Sequence, residues 1–329
     1  MRAAWYERNG EARDVMRVSE LPDPVPGPGE VRVRIAASGL NPTDTKRRGG
    51  FGGQTTEGRI IPNSDGAGVV DATGPGVTNV RVGDRVWVWN AQWLRSDGTC
   101  AQFCCLPASL VAPLPRNVAF AAGACLGIPA MTAHQAVYGR GDVRGQTILV
   151  TGGAGAVGQC AIQIAKWGGA KVFATVSDDR KAEVARAAGA DDTINYRGED
   201  VAARVKALTG GSGVDRIVEV DFGANLAASL AALKPNGTIA TYASMTAPTP
   251  QLPFYSMMRH GVNVEMVFVY IMPPAARARA LGDLGEMLAE GALVPAVGPR
   301  FSLDDVVAAH EAQESGRAVG NIVIDVAAL

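Results

Sequence analysis

The chain has 329 residues and a formal net charge of -1; 47% of its residues are hydrophobic and 19% are charged. This length suits two domains, and the composition is that of a folded chain with a large core. The near-neutral charge argues against a nucleic-acid partner and against an anionic membrane surface.

The cysteine count and the N-terminal segment bear on the compartment. The five cysteines are odd in number, and residues 1–10 contain no apolar signal segment. No apolar run is long enough to span a bilayer, so we expect no membrane partner. We therefore expect free thiols in a reducing cytoplasm.

The first 120 residues contain short β-like runs and no extended helical period. Clusters of proline and glycine separate these runs, for example at residues 22–29. The pattern predicts a mostly β domain with irregular loops. Its expected strands are residues 2–6, 30–36, 68–72, 85–89 and 101–106.

A glycine turn follows an apolar run at residues 148–150 and precedes a helical segment at 159–167. Gly152, Gly155 and Gly158 form a G-x-x-G-x-x-G variant of the dinucleotide-binding fingerprint. Gly152 would permit the tight turn, Gly155 a close approach to a pyrophosphate, and Gly158 close packing of the helix. With a second strand at 171–176, the segment predicts a βαβ unit that binds a nucleotide. The alternative is an ordinary glycine-rich turn.

Helices and strands alternate from the glycine turn onwards. This alternation predicts parallel strands joined by crossover helices, which is a doubly wound α/β sheet. The expected helices are residues 178–188, 199–208 and 224–233. The expected strands are residues 193–196, 216–220, 238–242 and 262–270.

The tail contains two expected helices, 274–290 and 303–314, and a strand at 321–326 that is free to return to the first domain. Residues 262–270 are apolar on both faces and form the last strand of the α/β block, so we expect them at the edge of the sheet. A bare apolar edge favours pairing with a second copy, which predicts a homodimer. The alternative is that the tail helix covers this edge.

Several motifs occur in order along the chain, and together they resemble one protein family. They are GLNPTD (39–44), NSDGAG (63–68), VGDRV (82–86), GIPAMTA (127–133), the glycine turn, AAGAD (187–191) and INY (194–196). They are similar to the zinc-free quinone oxidoreductase, or zeta-crystallin-like, branch of the medium-chain dehydrogenase/reductases. The resemblance implies a GroES-like catalytic domain, 1–122 with 271–329, and an inserted Rossmann domain, 123–270. It places the active site in the cleft between them.

The resemblance also implies that no metal is bound. Zinc enzymes of this superfamily have a Cys where this chain has Asn41, and a His-Glu pair in the segment that holds Asn63 and Ser64. Amide side chains are poor zinc ligands compared with thiolate or imidazole. Cys104 and Cys105 are adjacent on an expected strand and point to opposite faces, so we interpret them as small buried hydrophobes.

The end of the second strand bears on the choice of nucleotide. Val176 and Ser177 occupy the place where an NAD-selective site has an acid for the ribose 2′-hydroxyl. The resemblance implies that Ser177, Lys181 and Tyr196 line a 2′-phosphate pocket, so the expected cofactor is NADPH. Lys181 is alternatively a solvated helix charge. The carboxylate of Asp178 either counts against NADPH, because it would repel a 2′-phosphate, or caps the next helix.

Further nucleotide contacts are implied by the resemblance along the turn and at later strand ends. They are Gly152, Ala154, Gly155, Ala156, Val157, Gly158, Asn225, Tyr242, Ala243, Ser244, Val267, Phe268 and Asn321.

The candidate catalytic residues are Asn41, Asp44, Lys46 and Thr132, and the candidate substrate contacts are Asn41, Lys46 and Asn63. Without a Lewis acid, such residues must position the substrate and donate to a developing oxyanion. The family commonly has an aromatic residue at Lys46, which leaves this lysine either a donor or a solvated charge. Asp44 alternatively caps a helix starting near Thr45, and Asn41 is alternatively a turn residue before a proline.

The resulting hypothesis is an NADPH-dependent, zinc-independent reductase of quinones or α,β-unsaturated carbonyls. Its expected partner is a small-molecule substrate, together with a second copy of the chain. The alternative is an NADPH-binding structural or regulatory protein of the zeta-crystallin type with little turnover.

Overall fold

The structure is a computed structural model that describes residues 1–53 and 55–329. Gln54 lies outside the described residues. The chain forms two compact units: Met1–Ile128 with Gly285–Leu329, and Pro129–Leu284. The sequence predicts these boundaries at residues 122 and 270, which is earlier than the junctions after Ile128 and Leu284. A helix spans each junction, so no linker composition marks it.

Strands and helices follow in chain order. The strands are β1 (Arg2–Trp5), β2 (Arg17–Glu20), β3 (Glu30–Leu40), β4 (Asp65–Thr73), β5 (Arg85–Val88), β6 (Phe103–Pro107), β7 (Val111–Pro113), β8 (Thr147–Val150), β9 (Lys171–Val176), β10 (Asp192–Asn195), β11 (Val214–Glu219), β12 (Leu233–Thr241), β13 (Asn263–Met266), β14 (Val297–Ser302) and β15 (Asn321–Asp325). The α-helices are α1 (Ala12–Val15), α2 (Pro42–Arg48), α3 (Phe120–Gly123), α4 (Gly127–Tyr138), α5 (Ala156–Trp167), α6 (Asp179–Ala187), α7 (Val201–Leu208), α8 (Phe222–Ala232), α9 (Phe254–His260), α10 (Pro274–Glu290) and α11 (Val306–Glu314). Short 3-10 turns lie at Phe51–Gly53, Ala108–Leu110, Val269–Ile271 and Leu303–Asp305.

The first unit is mostly β, as the sequence predicts. Its main sheet has the order β14-β15-β3-β4-β5-β7, with β6 also paired to β3, and β1-β2 form a separate pair. The C-terminal strand β15 runs antiparallel to β3, with Ile322 opposite Leu40, so the end of the chain pairs within the sheet of the first unit. Strand β3 extends beyond the predicted 30–36 because its last residues pair with this distant strand. Alternate β3 residues, such as Val31 and Val33, are buried in the core.

The second unit is a doubly wound α/β domain, which confirms the predicted fold class. Its six strands are parallel in the order β10-β9-β8-β11-β12-β13. This is the strand order of a Rossmann sheet, in which ligands bind at the carboxyl ends of the strands. Phe173, Ile217 and Ile239 lie in the buried core between the sheet and its helices.

The last strand of this sheet is shorter than predicted. Strand β13 ends at Met266 rather than at residue 270, and the chain then turns at Val269–Ile271. Pro273 and Pro274 follow, and proline cannot continue a strand ladder. The prediction of an edge position is correct, since β13 pairs only with β12 among the described strands.

Other expected features concern cysteines and membranes. All five cysteines are free and buried, and burial raises the pKa of Cys104 to about 12. Among the described helices, none has both the length and the apolar character that a bilayer crossing requires.

Candidate active site

The glycine turn joins β8 to α5 and has the geometry expected of a nucleotide loop. Gly152 has φ +65°, a left-handed conformation that glycine adopts without strain. A Cβ on Gly158 would overlap the carbonyl oxygen of Gly152, so the close packing requires glycine there. Gly155 is the N-cap of α5, and no side chain caps the helix. The amides of its first turn are therefore available to an anion.

Most predicted nucleotide residues lie at one edge of the parallel sheet. The carboxyl ends of its strands all point to this edge, because the strands are parallel. The turn follows β8, Ser177 follows β9 and Tyr196 follows β10. The rest of the set follows β12 and β13, at Tyr242, Ala243, Ser244, Val267 and Phe268.

Ser177 and Lys181 form a polar pair just beyond β9. Lys181 Nζ donates to Ser177 Oγ at 2.9 Å, and Ser177 Oγ donates to Asp178 Oδ2 at 2.8 Å. Asp178 is the N-cap of α6 and accepts from the Lys181 backbone N–H at 3.0 Å. That backbone hydrogen bond and the one from Ser177 hold the pKa of Asp178 below its usual value. The capping interpretation of Asp178 is therefore correct. Tyr196 is exposed.

Tyr242, Ala243, Ser244 and Val267 line a pocket of about 440 Å³ in the second unit. Its other walls include apolar side chains of Phe222, Leu252 and Met266. Ser244 Oγ accepts from the Gly223 N–H at 3.0 Å and donates to the Ala247 carbonyl at 2.5 Å. The serine is thus fixed by the chain itself, while Phe268 is exposed beside this end of β13.

Glu219 organises the loop ends between β8 and β11, and the sequence analysis did not select it. Its side chain is fully buried and accepts from Asn225 Nδ2 at 2.7 Å and from Thr151 Oγ1 at 3.0 Å. Ser229 and the backbone N–H of Asp221 complete the set, at 3.0 Å and 2.7 Å. Asn225, a predicted nucleotide contact, is therefore positioned by a buried carboxylate. The signal available in the sequence was an acid that directly follows the apolar pair Ile217 and Val218 at the end of β11.

A second group of predicted residues lies in the first unit. Asn41 connects β3 to α2 as the helix N-cap, and Asp44 Oδ2 accepts its backbone N–H at 2.7 Å. Helix α2 thus begins at Pro42, earlier than the helix expected near Thr45. Proline suits this first helical position because its missing N–H would have no helical partner.

Asp65 anchors Asn41, and its role was not anticipated. Asp65 Oδ2 accepts from Asn41 Nδ2 at 2.8 Å and from the Ile128 N–H at 2.7 Å. The carboxyl is fully buried, and Asp65 Oδ1 is among the buried atoms without a hydrogen-bond partner. Burial raises the pKa of Asp65 well above its usual value, and nearby Asp44 raises it further. Burial likewise raises the pKa of Asp44 to about 7.

Asn63 lies two residues before Asp65, which begins β4. It has φ +75°, and its Nδ2 donates to Ser38 Oγ at 2.9 Å. Ser38 in turn shares a hydrogen bond of 2.8 Å with Thr99. Both amides at the expected zinc-ligand segments, Asn41 and Asn63, are thus engaged in side-chain networks. Residues 1–53 and 55–329 contain no group of three or more His, Cys, Asp or Glu arranged to hold a metal.

The remaining predicted residues are spread between the two units. Lys46 is half-buried on α2, and its Nζ lies 5.5 Å from the centre of the Phe51 ring. Thr132 is buried on α4 in the second unit. Asn321 is buried at the start of β15 in the first unit, and its Nδ2 has no hydrogen-bond partner. Asn321 therefore belongs to a different unit from the predicted nucleotide residues of the parallel sheet.

Comparison with known proteins gives two family matches. Residues 27–116 match the alcohol dehydrogenase GroES-like domain, and residues 156–283 match the zinc-binding dehydrogenase family. A 2-haloacrylate reductase of a Burkholderia species is 32% identical over 315 residues, with 91% of each chain covered. A quinone oxidoreductase of Sus scrofa is 29% identical over 300 residues, covering 91% of this chain and 89% of the relative. A mycobacterial protein solved in complex with NADPH superposes with a TM-score of 0.86 at 32% identity, covering 98% and 99% of the two chains.

Proposed function

The chain belongs to the medium-chain dehydrogenase/reductase superfamily and is a nicotinamide-dependent oxidoreductase, and we propose that it uses NADPH to reduce quinones or α,β-unsaturated carbonyls without zinc. The observation that carries this proposal is the Ser177–Lys181 pair beside an uncapped glycine turn. The similarity to a quinone oxidoreductase and to a 2-haloacrylate reductase supports the acceptor class.

The glycine turn suits the pyrophosphate of a dinucleotide. The space beside Gly155 is open, since an added Cβ there would meet only the Gly152 carbonyl oxygen, at 3.3 Å. An anion at this place receives the first amides of a 12-residue helix and its positive dipole end. The residues present therefore fit a dinucleotide.

The end of β9 suits a 2′-phosphate better than a free ribose hydroxyl. The acid that would accept from that hydroxyl is absent at Val176 and Ser177. Asp178 is occupied with the cap of α6 and with Ser177. Lys181 supplies a positive charge and Ser177 a hydroxyl, which together favour a phosphate dianion. This argument supports NADPH over NADH.

Hydride donation is the chemistry that the bound nicotinamide supplies. The chain's own part is to position the acceptor and to donate to the oxygen on which charge develops. We assign that donor role to Asn41 of the first unit and, as a second candidate, to Thr132 of the second unit, whose side chains carry N–H or O–H groups. Asp44 positions the backbone of Asn41, and Asn63 is fixed by Ser38. A conjugated acceptor suits such a site because its own π-system delocalises the charge.

Subunit pairing belongs to the proposal as well. Met266 at the end of edge strand β13 is 70% exposed, so the tail helix does not cover it. Phe268, Ile271, Phe254 and Tyr255 are exposed large hydrophobic side chains in the same part of the chain. An apolar surface of this kind beside an open strand edge favours an isologous dimer.

The test is oxidation of NADPH and of NADH by the purified protein with a simple quinone and a simple enone as acceptors. We expect turnover with at least one acceptor and a lower KM for NADPH. NADPH binding without turnover on either acceptor class would favour the structural alternative. Equal KM values for the two nucleotides would remove the assignment of Ser177 and Lys181.

A further inference from the structure

One face of helix α2 lines a pocket of about 390 Å³ that lies entirely within the first unit. Pro42, Thr45, Lys46 and Gly49 supply the helix side of the pocket, at the i, i+3, i+4, i+7 spacing of one helical face. Phe51, Gln313 and Glu314 supply the remaining walls. The opposite face of α2 carries the buried Asp44 and Arg48, so this pocket face is the side on which α2 can meet a ligand.

The charges at this pocket do not cancel. Glu314 pairs with the buried guanidinium of Arg48, so its carboxylate is already neutralised. Arg47 donates to two backbone carbonyls, of Gln92 at 2.6 Å and of Arg95 at 3.2 Å, rather than to an acid. Lys46 has no carboxylate partner among the described residues, and its ammonium lies over the ring of Phe51. The ammonium of Lys46 is thus the uncompensated charge of the pocket.

Lys46 also differs from a freely solvated lysine. Its side chain is half-buried, and burial lowers the pKa of its ammonium. A partly dehydrated ammonium is stabilised when an anion enters the pocket, because the anion replaces the lost hydration. The apolar ring of Phe51 next to it suits a ligand that has an apolar body and a single negative group.

We propose that Lys46 binds a carboxylate carried by the acceptor, so that the preferred substrates are conjugated carbonyl compounds with an acidic substituent. The inference rests on the proposed function, because it specifies which acceptors that reaction prefers. In the reaction, a hydride from bound NADPH adds to the β-carbon of the enone and a proton from water adds to the α-carbon. The products are the saturated keto acid and NADP⁺.

The experiment uses 3-benzoylacrylate and its methyl ester, which share one enone and differ in one negative charge. The quantity compared is the ratio of kcat/KM for the acid to kcat/KM for the ester, in wild type, Lys46→Met and Lys46→Arg. We expect Lys46→Met to lower this ratio at least tenfold, mainly through KM of the acid, and Lys46→Arg to restore most of it. Lys206→Met, which removes a lysine from helix α7, is the control and should leave the ratio unchanged.

A binding measurement keeps the result independent of turnover. Calorimetric titration with 3-benzoylpropionate, the saturated acid, should show at least tenfold weaker binding to Lys46→Met than to wild type. An unchanged acid-to-ester ratio with good reduction of the ester would overturn the carboxylate assignment and leave the proposed function standing. Absence of turnover on both compounds, with Lys46-dependent binding of the acid, would instead refute the reductase and retain the anion site.

Discussion

Replacement of Lys181 by alanine is expected to weaken NADPH binding and to leave NADH binding unchanged. Lys181 Nζ lies 2.9 Å from Ser177 Oγ at the carboxyl end of β9, where no acid accepts from a ribose hydroxyl. A 2′-phosphate at this place would meet the ammonium and the hydroxyl together. NADH lacks that phosphate, so it loses nothing when the ammonium is removed.

The size of the effect follows from the exposure of the pair. Two unit charges about 4 Å apart attract by about 1 kcal/mol in water and about 4 kcal/mol at an effective dielectric constant of about 20. The Lys181 side chain is 38% exposed, and Asp178 Oδ2 lies 3.9 Å from its Nζ and opposes the phosphate. The lower half of that range therefore applies. A loss of about 1 to 2.5 kcal/mol corresponds to a roughly fivefold to seventyfold rise in Kd.

Fluorescence titration of both nucleotides measures this directly. Arg180→Ala is the matched control, because Arg180 is an exposed cation in the same first turn of α6. If Arg180→Ala weakens NADPH binding as much as Lys181→Ala does, general surface charge rather than the Ser177–Lys181 pair sets the preference. An equal loss for NADH and NADPH would refute the reasoning outright.

Four further outcomes are expected. Gly158→Ala should abolish nucleotide binding and lower the melting temperature, since its Cβ would overlap the Gly152 carbonyl, whereas Gly282→Ala, in open space on α10, should stabilise by about 1 kcal/mol. The folded-state pKa of Asp44 is raised from 3.8 to about 7. The free energy of unfolding, measured by denaturant titration, should therefore fall by up to about 4 kcal/mol as pH rises between those values. Asp44→Asn should remove most of this decrease. Met266→Pro should shift light scattering from dimer to monomer, because the Val267 N–H points inward to Thr241 and the Met266 N–H, by alternation, points to the open edge. Elemental analysis should find less than one zinc per chain, and a chelator should leave turnover unchanged; a tightly held zinc would contradict this.

The alternating half of the fold could be predicted from sequence because its signals are local. An apolar strand, a glycine turn and a helix follow each other within about 30 residues, and this order fixes a parallel βαβ unit. The predicted bounds of β9 agree with the structure, and β8 begins one residue earlier than predicted. Ser177 and Lys181 could also be predicted, because both follow β9, whose end the sequence placed correctly.

Features that depend on distant partners could not be predicted. Strand β3 continues to Leu40 because β15, nearly 300 residues later, pairs with its end. The 262–270 segment has the composition of a long strand, yet it leaves the sheet after Met266. Asp65 and Glu219 act through buried hydrogen bonds to residues that are far away or on another element. A single buried carboxyl looks in sequence like any other acid.

Asp65 is a fully buried acid that accepts a hydrogen bond from Asn41, a candidate catalytic residue. A buried carboxylate that has no pairing charge is costly to the folded state. Here Asn41 and the Ile128 N–H donate to one oxygen of Asp65, and burial raises its pKa, which favours the neutral acid. One oxygen of Asp65 is thus satisfied by two donors, while the other has no hydrogen-bond partner. Any positive charge offered to an acceptor from α2 must then come from a side chain, and Lys46 is the cation on that helix without an acidic or carbonyl partner among the described residues.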